Sequence, residues 1–270
     1  VGLGLLEAIS EETILEREDE ADLNGDGISG KARLSTDPIT GETRLGRFGY
    51  KGSATSIIHQ VAGALNTDMG VMTSVVPTPD CGPEQTTCGN NTGSELADEH
   101  LNDLVKYVSL LGVRAQRDLD VPDVILGETV FNETGCESCH RSTMKTSEFA
   151  VHSELRSQTI RPFTDLLLHD MGEGLADNLG GGNATGAEWR TAPLWGLGLS
   201  ACVTGGVTNP TGYQGDDVCA PDANYLHDGR ARTINEAIMW HGGEAEQSRI
   251  AYESLTNTKR SVLLTFLNSL

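Results

Sequence analysis

Aromatic side chains are scarce in this chain, 5% of its 270 residues, and the whole hydrophobic set reaches only 37%. Glycine, with 32 residues, is abundant instead. That balance argues against a large close-packed core. It suits a loop-rich protein whose interior is completed by a cofactor. Positive charge is also in short supply: 19 Lys and Arg stand against 39 Asp and Glu, a formal net charge of −20. Phosphate recognition needs a basic face, so the composition argues against a nucleic-acid partner. No apolar run approaches the roughly 18 residues of a membrane-spanning helix. No secretory leader is visible, and the chain begins at Val1 without Met, so loss of an N-terminal segment by processing or trimming is expected. Strand signals are weak throughout. The length is sufficient for two modest domains.

Cysteine is sparse too, six in all, and its placement is informative. Cys136-Glu137-Ser138-Cys139-His140 is a Cys-x-x-Cys-His motif, the attachment signature of a c-type haem. Two thiols three positions apart reach the two vinyl groups of one porphyrin, and the adjacent His lies under the iron as proximal ligand. A zinc site would need a second ligand pair, and a thioredoxin-like motif would need a βαβ setting that the pattern lacks. Four cysteines remain. Cys81 and Cys88 share one Gly/Pro-rich loop, and Cys202 and Cys219 share another. Three pairings are open to them, and the local ones, Cys81–Cys88 and Cys202–Cys219, are expected. Disulfides and covalent haem both point to an oxidising compartment, periplasmic or extracellular.

Residues 1–20 read as helical, with Leu5, Leu6, Ile9, Ile14 and Leu15 near one face. Asp22, Asn24 and Asp26, followed by Gly27 and Ile28, match the opening of an EF-hand-type calcium loop, Ile28 offering its carbonyl. Arg33 stands where the closing bidentate Glu would be, so a metal-free Asp/Asn/Gly turn is the competing reading. A helix is expected over 94–112, capped by Ser94 and stopped at Gly112. Residues 117–122 read as a linker, and a short helix at about 123–134 leads into the haem motif. Residues 141–225 read as largely irregular. Thr233 can cap a further helix with Glu236 at its third position. A closing helix is expected over about 257–270.

An internal repeat is visible. Tyr50-Lys-Gly52-Ser-Ala54-Thr-Ser56-Ile57 matches His227-Asp-Gly229-Arg-Ala231-Arg-Thr233-Ile234 in Gly, Ala, hydroxyl and Ile. Each copy is followed by a helix, a loop and a closing helix. In the second copy His241 lies twelve residues beyond Gly229 and is the candidate sixth iron ligand, with Met239 as its rival. In the first copy the corresponding residue is Ala64, which cannot ligate iron. Gln60 and Asp68 flank it and can offer a hydrogen bond and a carboxylate to a peroxide.

These residues resemble the bacterial di-haem cytochrome c peroxidase superfamily, and within it the di-haem oxidoreductase branch also known as thiol oxidoreductases. The stretches that carry the resemblance are 46–51, 60–70, 136–140, 159–174, 189–196, 226–230 and 240–244. It implies a mostly α protein of two c-type cytochrome-like domains with long irregular loops and calcium between them. Here the first domain is incomplete, with residues 1–116 its remainder and 117–270 the second. It also implies that His140 and His241 bind the iron of a relay haem, which passes electrons to a peroxidatic haem whose attachment site is absent from this chain. Gln60 and Asp68 would occupy the distal pocket of that second haem. Arg161 and Arg230 are candidates to pair with propionates, and His227 to buttress the haem edge. The partners implied are an electron-donor cytochrome or small redox protein and hydrogen peroxide or another small oxidant. Homodimer and larger cytochrome assembly are both open. The alternative function is a bis-His cytochrome that only carries electrons. Nothing supports thiol chemistry, because no reactive cysteine is left after haem and disulfides.

Overall fold

The computed structural model describes residues 1–82, 84–85, 93–205 and 223–270. Helices dominate them: α1 (Leu3–Glu7), α2 (Glu11–Leu15), α3 (Ile57–Met69), α4 (Asp98–Leu110), α5 (Pro122–Glu133), α6 (Ser200–Gly205), α7 (Ile234–Met239), α8 (Glu246–Glu253) and α9 (Asn257–Ser269). The strands are short and form three antiparallel pairs. β1 (Leu34–Thr36) pairs with β2 (Thr43–Leu45), β3 (Met144–Lys145) with β4 (Thr159–Ile160), and β5 (Leu168–Asp170) with β6 (Glu188–Arg190). The expected mostly α class holds.

Two of the expected helices are shorter than their sequence patterns. The first twenty residues make two helices, not one. Ser10 is extended and its side chain accepts from Thr13 N–H, starting α2 afresh. The Arg47 guanidinium takes the carbonyls of Leu6, Glu7 and Ile9 at 2.7–3.1 Å, which closes α1. The fourth helix begins at Asp98 rather than Ser94, whose hydroxyl donates to the Leu96 carbonyl instead of capping. The helix expected after the linker does start with Pro122, at the position where its missing N–H costs nothing.

The repeat is present as local structure. Phe48 bridges Ala54 in the first copy, and Tyr225 bridges Ala231 in the second. Each turn passes through a left-handed glycine, Gly52 or Gly229. Each then starts a helix from a hydroxyl: Ser56 accepts from His59 N–H, and Thr233 from Glu236 N–H.

Two apolar cores result. One gathers Leu6, Ile9, Ile14, Leu45, Phe48 and Ile57 together with Met144, Ile160, Leu166 and Leu167. The other gathers Val124, Val130 and Phe131 of α5 with Val262, Leu263, Phe266 and Leu267 of α9. The α5–α9 crossing is close because Gly127 lies on it. A Cβ there would fall 2.1 Å from the Val262 carbonyl oxygen and 2.5 Å from Phe266 Cβ.

Candidate cofactor site

A cavity of about 320 Å³ opens beside the second core, a size in the usual range for small-molecule and cofactor sites. Its lining is mostly apolar and includes Phe131, Leu194, Leu197, Ile234, Ile238, Leu263 and Leu267. The chain's scarce aromatics concentrate here. Phe131, Phe163 and Phe266 meet pairwise at 5.5–6.0 Å between ring centres, and Phe131 lies 6.4 Å from the His140 ring.

Cys136, Cys139, His140 and His241 all face this cavity. Cys136 and Cys139 are free thiols, not joined to each other. Burial pushes both thiols up from their ordinary pKa. His140 Nδ1–H donates to the Phe163 carbonyl at 2.9 Å. Phe163 is left-handed, with φ 54°, in a stretch without regular structure. His241 Nδ1–H donates to the Ala237 carbonyl at 2.8 Å, one turn back along α7. Each bond fixes the tautomer that leaves Nε2 as a lone-pair donor. Burial pushes His140 down to about 4, with His241 close enough to lower it further, and burial lowers His241 as well. Burial thus favours the neutral form of both rings, the form that can ligate a metal. Met239, the rival ligand, is 41% exposed and is not among the cavity residues.

A charged network stands on the Cys139 side. His169 is buried, with Nε2 2.9 Å from Asp165 Oδ2 and Nδ1 2.7 Å from Glu244 Oε2. Cys139 Sγ lies 3.7 Å from His169 Nδ1. Cys139, Asp165 and His169 are the one group of three His, Cys, Asp or Glu among the described residues close enough to hold a metal ion. Both His169 nitrogens are already spent on carboxylates, so the network is better described as an ion pair than as an empty metal site.

Arginine placement departs from expectation. Arg161 pairs with Glu128, and Arg230 with Asp228, also lying over the Trp240 ring. Neither lines the cavity. Arg190 does. Among the described residues its side chain bonds to the Gly49 and Thr191 carbonyls, at 3.0 and 2.9 Å, and burial pushes it down to about 10. A cation on the cavity wall with only carbonyl partners can take a carboxylate of a bound group. Arg190 lies in the 189–196 stretch, and the folded chain brings it to the cavity wall from β6. His227 lines the cavity, stacked on Trp189 at 3.6 Å, with the Lys51 ammonium 3.9 Å from the Trp189 ring centre.

The other expected residues lie elsewhere. Gln60 and Asp68 are on α3, two turns apart with Ala64 between them, Gln60 half-buried and Asp68 exposed. They do not reach the cavity. In the Asp22–Ile28 loop, Gly27 N–H bonds to the Asp22 carboxylate, Asp26 N–H to Asn24 Oδ1 and Ile28 N–H to Asp26 Oδ1. Ile28 itself reaches the cavity wall. Cys81 and Cys202 are disulfide-bonded, and their expected partners Cys88 and Cys219 lie outside the described residues.

A mostly helical chain with paired thiols and paired neutral imidazoles around one apolar cavity has the donor set of a haem protein. The family model described as "di-haem oxidoreductase, putative peroxidase" matches residues 1–270, and the chain belongs to that family. No curated protein and no solved structure matches it.

Proposed function

We propose that the cavity holds one haem c, joined as thioethers to Cys136 and Cys139, with its iron between His140 and His241. The observation that carries this reading is the imidazole pair: each Nδ1 is tied to a backbone carbonyl, and among the described residues no hydrogen bond uses either Nε2. When bound, the haem supplies a one-electron couple tuned by its axial ligands and surroundings. Around it, His140 and His241 hold fixed tautomers, the phenylalanine cluster excludes water, and Arg190 faces the cavity as a cation. Held by both His140 and His241, the group would serve electron transfer rather than substrate binding.

In a di-haem peroxidase-like oxidoreductase the acceptor of those electrons is a second, peroxidatic haem. The repeat supports its placement on the α3 face. Ala64 stands where His241 stands in the other copy, so it leaves an iron position open, flanked by Gln60 and Asp68. The domains then divide near residue 116. We assign calcium to Asp22, Asn24, Asp26 and the Ile28 carbonyl, supported by a loop already wound on its own side-chain oxygens. We also assign the disulfides Cys81–Cys88 and Cys202–Cys219 and a periplasmic or extracellular location. Among the described residues no helix is long and apolar enough to cross a membrane. The donor partner is a small redox protein. The second reading, a carrier without peroxidase activity, is favoured by the same closed imidazole pair.

Covalent attachment is tested on a denaturing gel stained for haem. Wild-type protein matured with haem should keep the stain, and the Cys136→Ser, Cys139→Ser double variant should lose it. Stain kept by the double variant would reject the thioethers. Calcium should raise the melting temperature of the same preparation, and Asp22→Ala should abolish that rise; no calcium effect would reject the assignment.

A further inference from the structure

Three segments meet at Glu244: its own turn, the loop at Ser29, and β5. Its Oε1 accepts from Ser29 Oγ at 2.5 Å and from Asp170 N–H at 3.1 Å, and its Oε2 from Ser29 N–H at 3.0 Å and from His169 Nδ1–H at 2.7 Å. Gly243 makes the approach feasible. Its φ is +55°, and a Cβ there would sit 2.2 Å from the Asp170 carbonyl oxygen. On the other side of His169, Asp165 Oδ1 accepts from Leu167 N–H at 3.0 Å, and Oδ2 accepts from Nε2–H at 2.9 Å. Every hydrogen-bond partner of the two carboxylates among the described residues is a donor. Both imidazole nitrogens face acceptors, so His169 is an imidazolium. Burial alone would lower its pKa, but these bonds raise it, and His169, Ser29 and Asp170 hold Glu244 at about 2 against the cost of its own burial.

The buried Asp165 and the largely buried Glu244 thus share one imidazolium, with the Cys139 sulfur 3.7 Å from the His169 Nδ1. Arg17 and Arg190 also act on Asp165, from beyond ion-pair distance. The cation of Glu244 is His169. A buried negative charge beside a redox centre stabilises its more positive, oxidised state. We propose that the Asp165–His169–Glu244 network is an electrostatic tuner of the haem, in which the Glu244 charge lowers its reduction potential. The inference rests on the haem assignment above.

The test is a spectroelectrochemical titration of the haem-loaded protein. Glu244→Gln should raise the midpoint, increasing the ferrous-to-ferric ratio at a fixed potential by on the order of tenfold, the effect of one unit charge about 10 Å away at an effective dielectric of about 20. Asp165→Asn should move it the same way, by less, because Arg17 and Arg190 offset that carboxylate. Glu244→Asp, which keeps the charge, should stay near wild type. The shift should largely persist at high salt, because Asp165 and His169 are buried and Glu244 is largely so. Unchanged midpoints in both Glu244→Gln and Asp165→Asn would overturn the proposal. So would a Glu244→Asp shift as large as that of Glu244→Gln, which would make Glu244 a spacer for the His241 turn. A loss of the low-spin spectrum in Glu244→Gln with an unmoved Asp165→Asn midpoint would also overturn it. Wild-type protein that takes up no haem would instead defeat the haem assignment itself.

Discussion

At the scale of single residues, the site is built from groups held in unusual charge states. His140 is neutral because burial makes its cation costly, and its folded pKa of about 4 lies below the ordinary 6.5. In haem-free protein the unfolded chain therefore binds the extra proton first as pH falls, and stability drops from pH 6.5 toward 4. Glu244 adds a second acid limb, from the ordinary 4.5 toward its folded value of about 2. His169 is raised above 6.5, so its contribution is complete below that pH and is lost as pH rises. The denaturation midpoint of haem-free protein should peak near pH 6–7 and fall on both sides. A flat profile between pH 4 and 7 would contradict the neutral buried imidazole. That Cys136, Cys139 and His140 belong to one site was legible in sequence because the five residues 136–140 are adjacent, and all three line the cavity. The Asp165–His169–Glu244 network was not, because its members are separated by up to 79 positions, from Asp165 to Glu244 (244 − 165), and meet only in the folded chain. Arg161 and Arg230 read from sequence as partners for carboxylates of a bound group, but Glu128 and Asp228 are the carboxylates they pair with.

At the scale of elements, what is local was readable. The two Gly-x-Ala turns, their hydroxyl caps and the closing helix depend on hydrogen bonds within a few residues, and their sequence signals were correct. The split between α1 and α2 depends on Arg47, some forty positions away, and no local periodicity shows it. The α5–α9 crossing belongs to the same long-range class. Gly127 in the middle of a helix costs helix propensity of roughly 1 kcal/mol relative to Ala, a cost offset by the close approach it permits. Gly127→Ala should therefore destabilise the protein by about 1–3 kcal/mol, as overpacking does, despite the better helix former. Thermal or denaturant unfolding checks this. A stabilised variant would mean that the helices do not cross as closely as described.

At the scale of the whole molecule, the low aromatic content and the acidic charge have separate consequences. With so few large side chains, two modest cores form, and the second is completed around a cavity rather than filled. The first core also draws on Met144, Ile160, Leu166 and Leu167 from beyond the haem motif. The segment 144–168 therefore packs across the expected boundary near residue 116, which linker composition alone did not reveal. The net charge of −20 favours encounter with cationic partners, at a rate expected to slow as salt rises. The central claim is that His140 and His241 share one iron, and the optical spectrum of haem-loaded variants tests it most directly. Wild type and Met239→Ala should both be low-spin and unreactive with carbon monoxide, while His241→Ala should turn high-spin and bind it. A low-spin, carbon monoxide-resistant His241→Ala, or a high-spin Met239→Ala, would contradict the account.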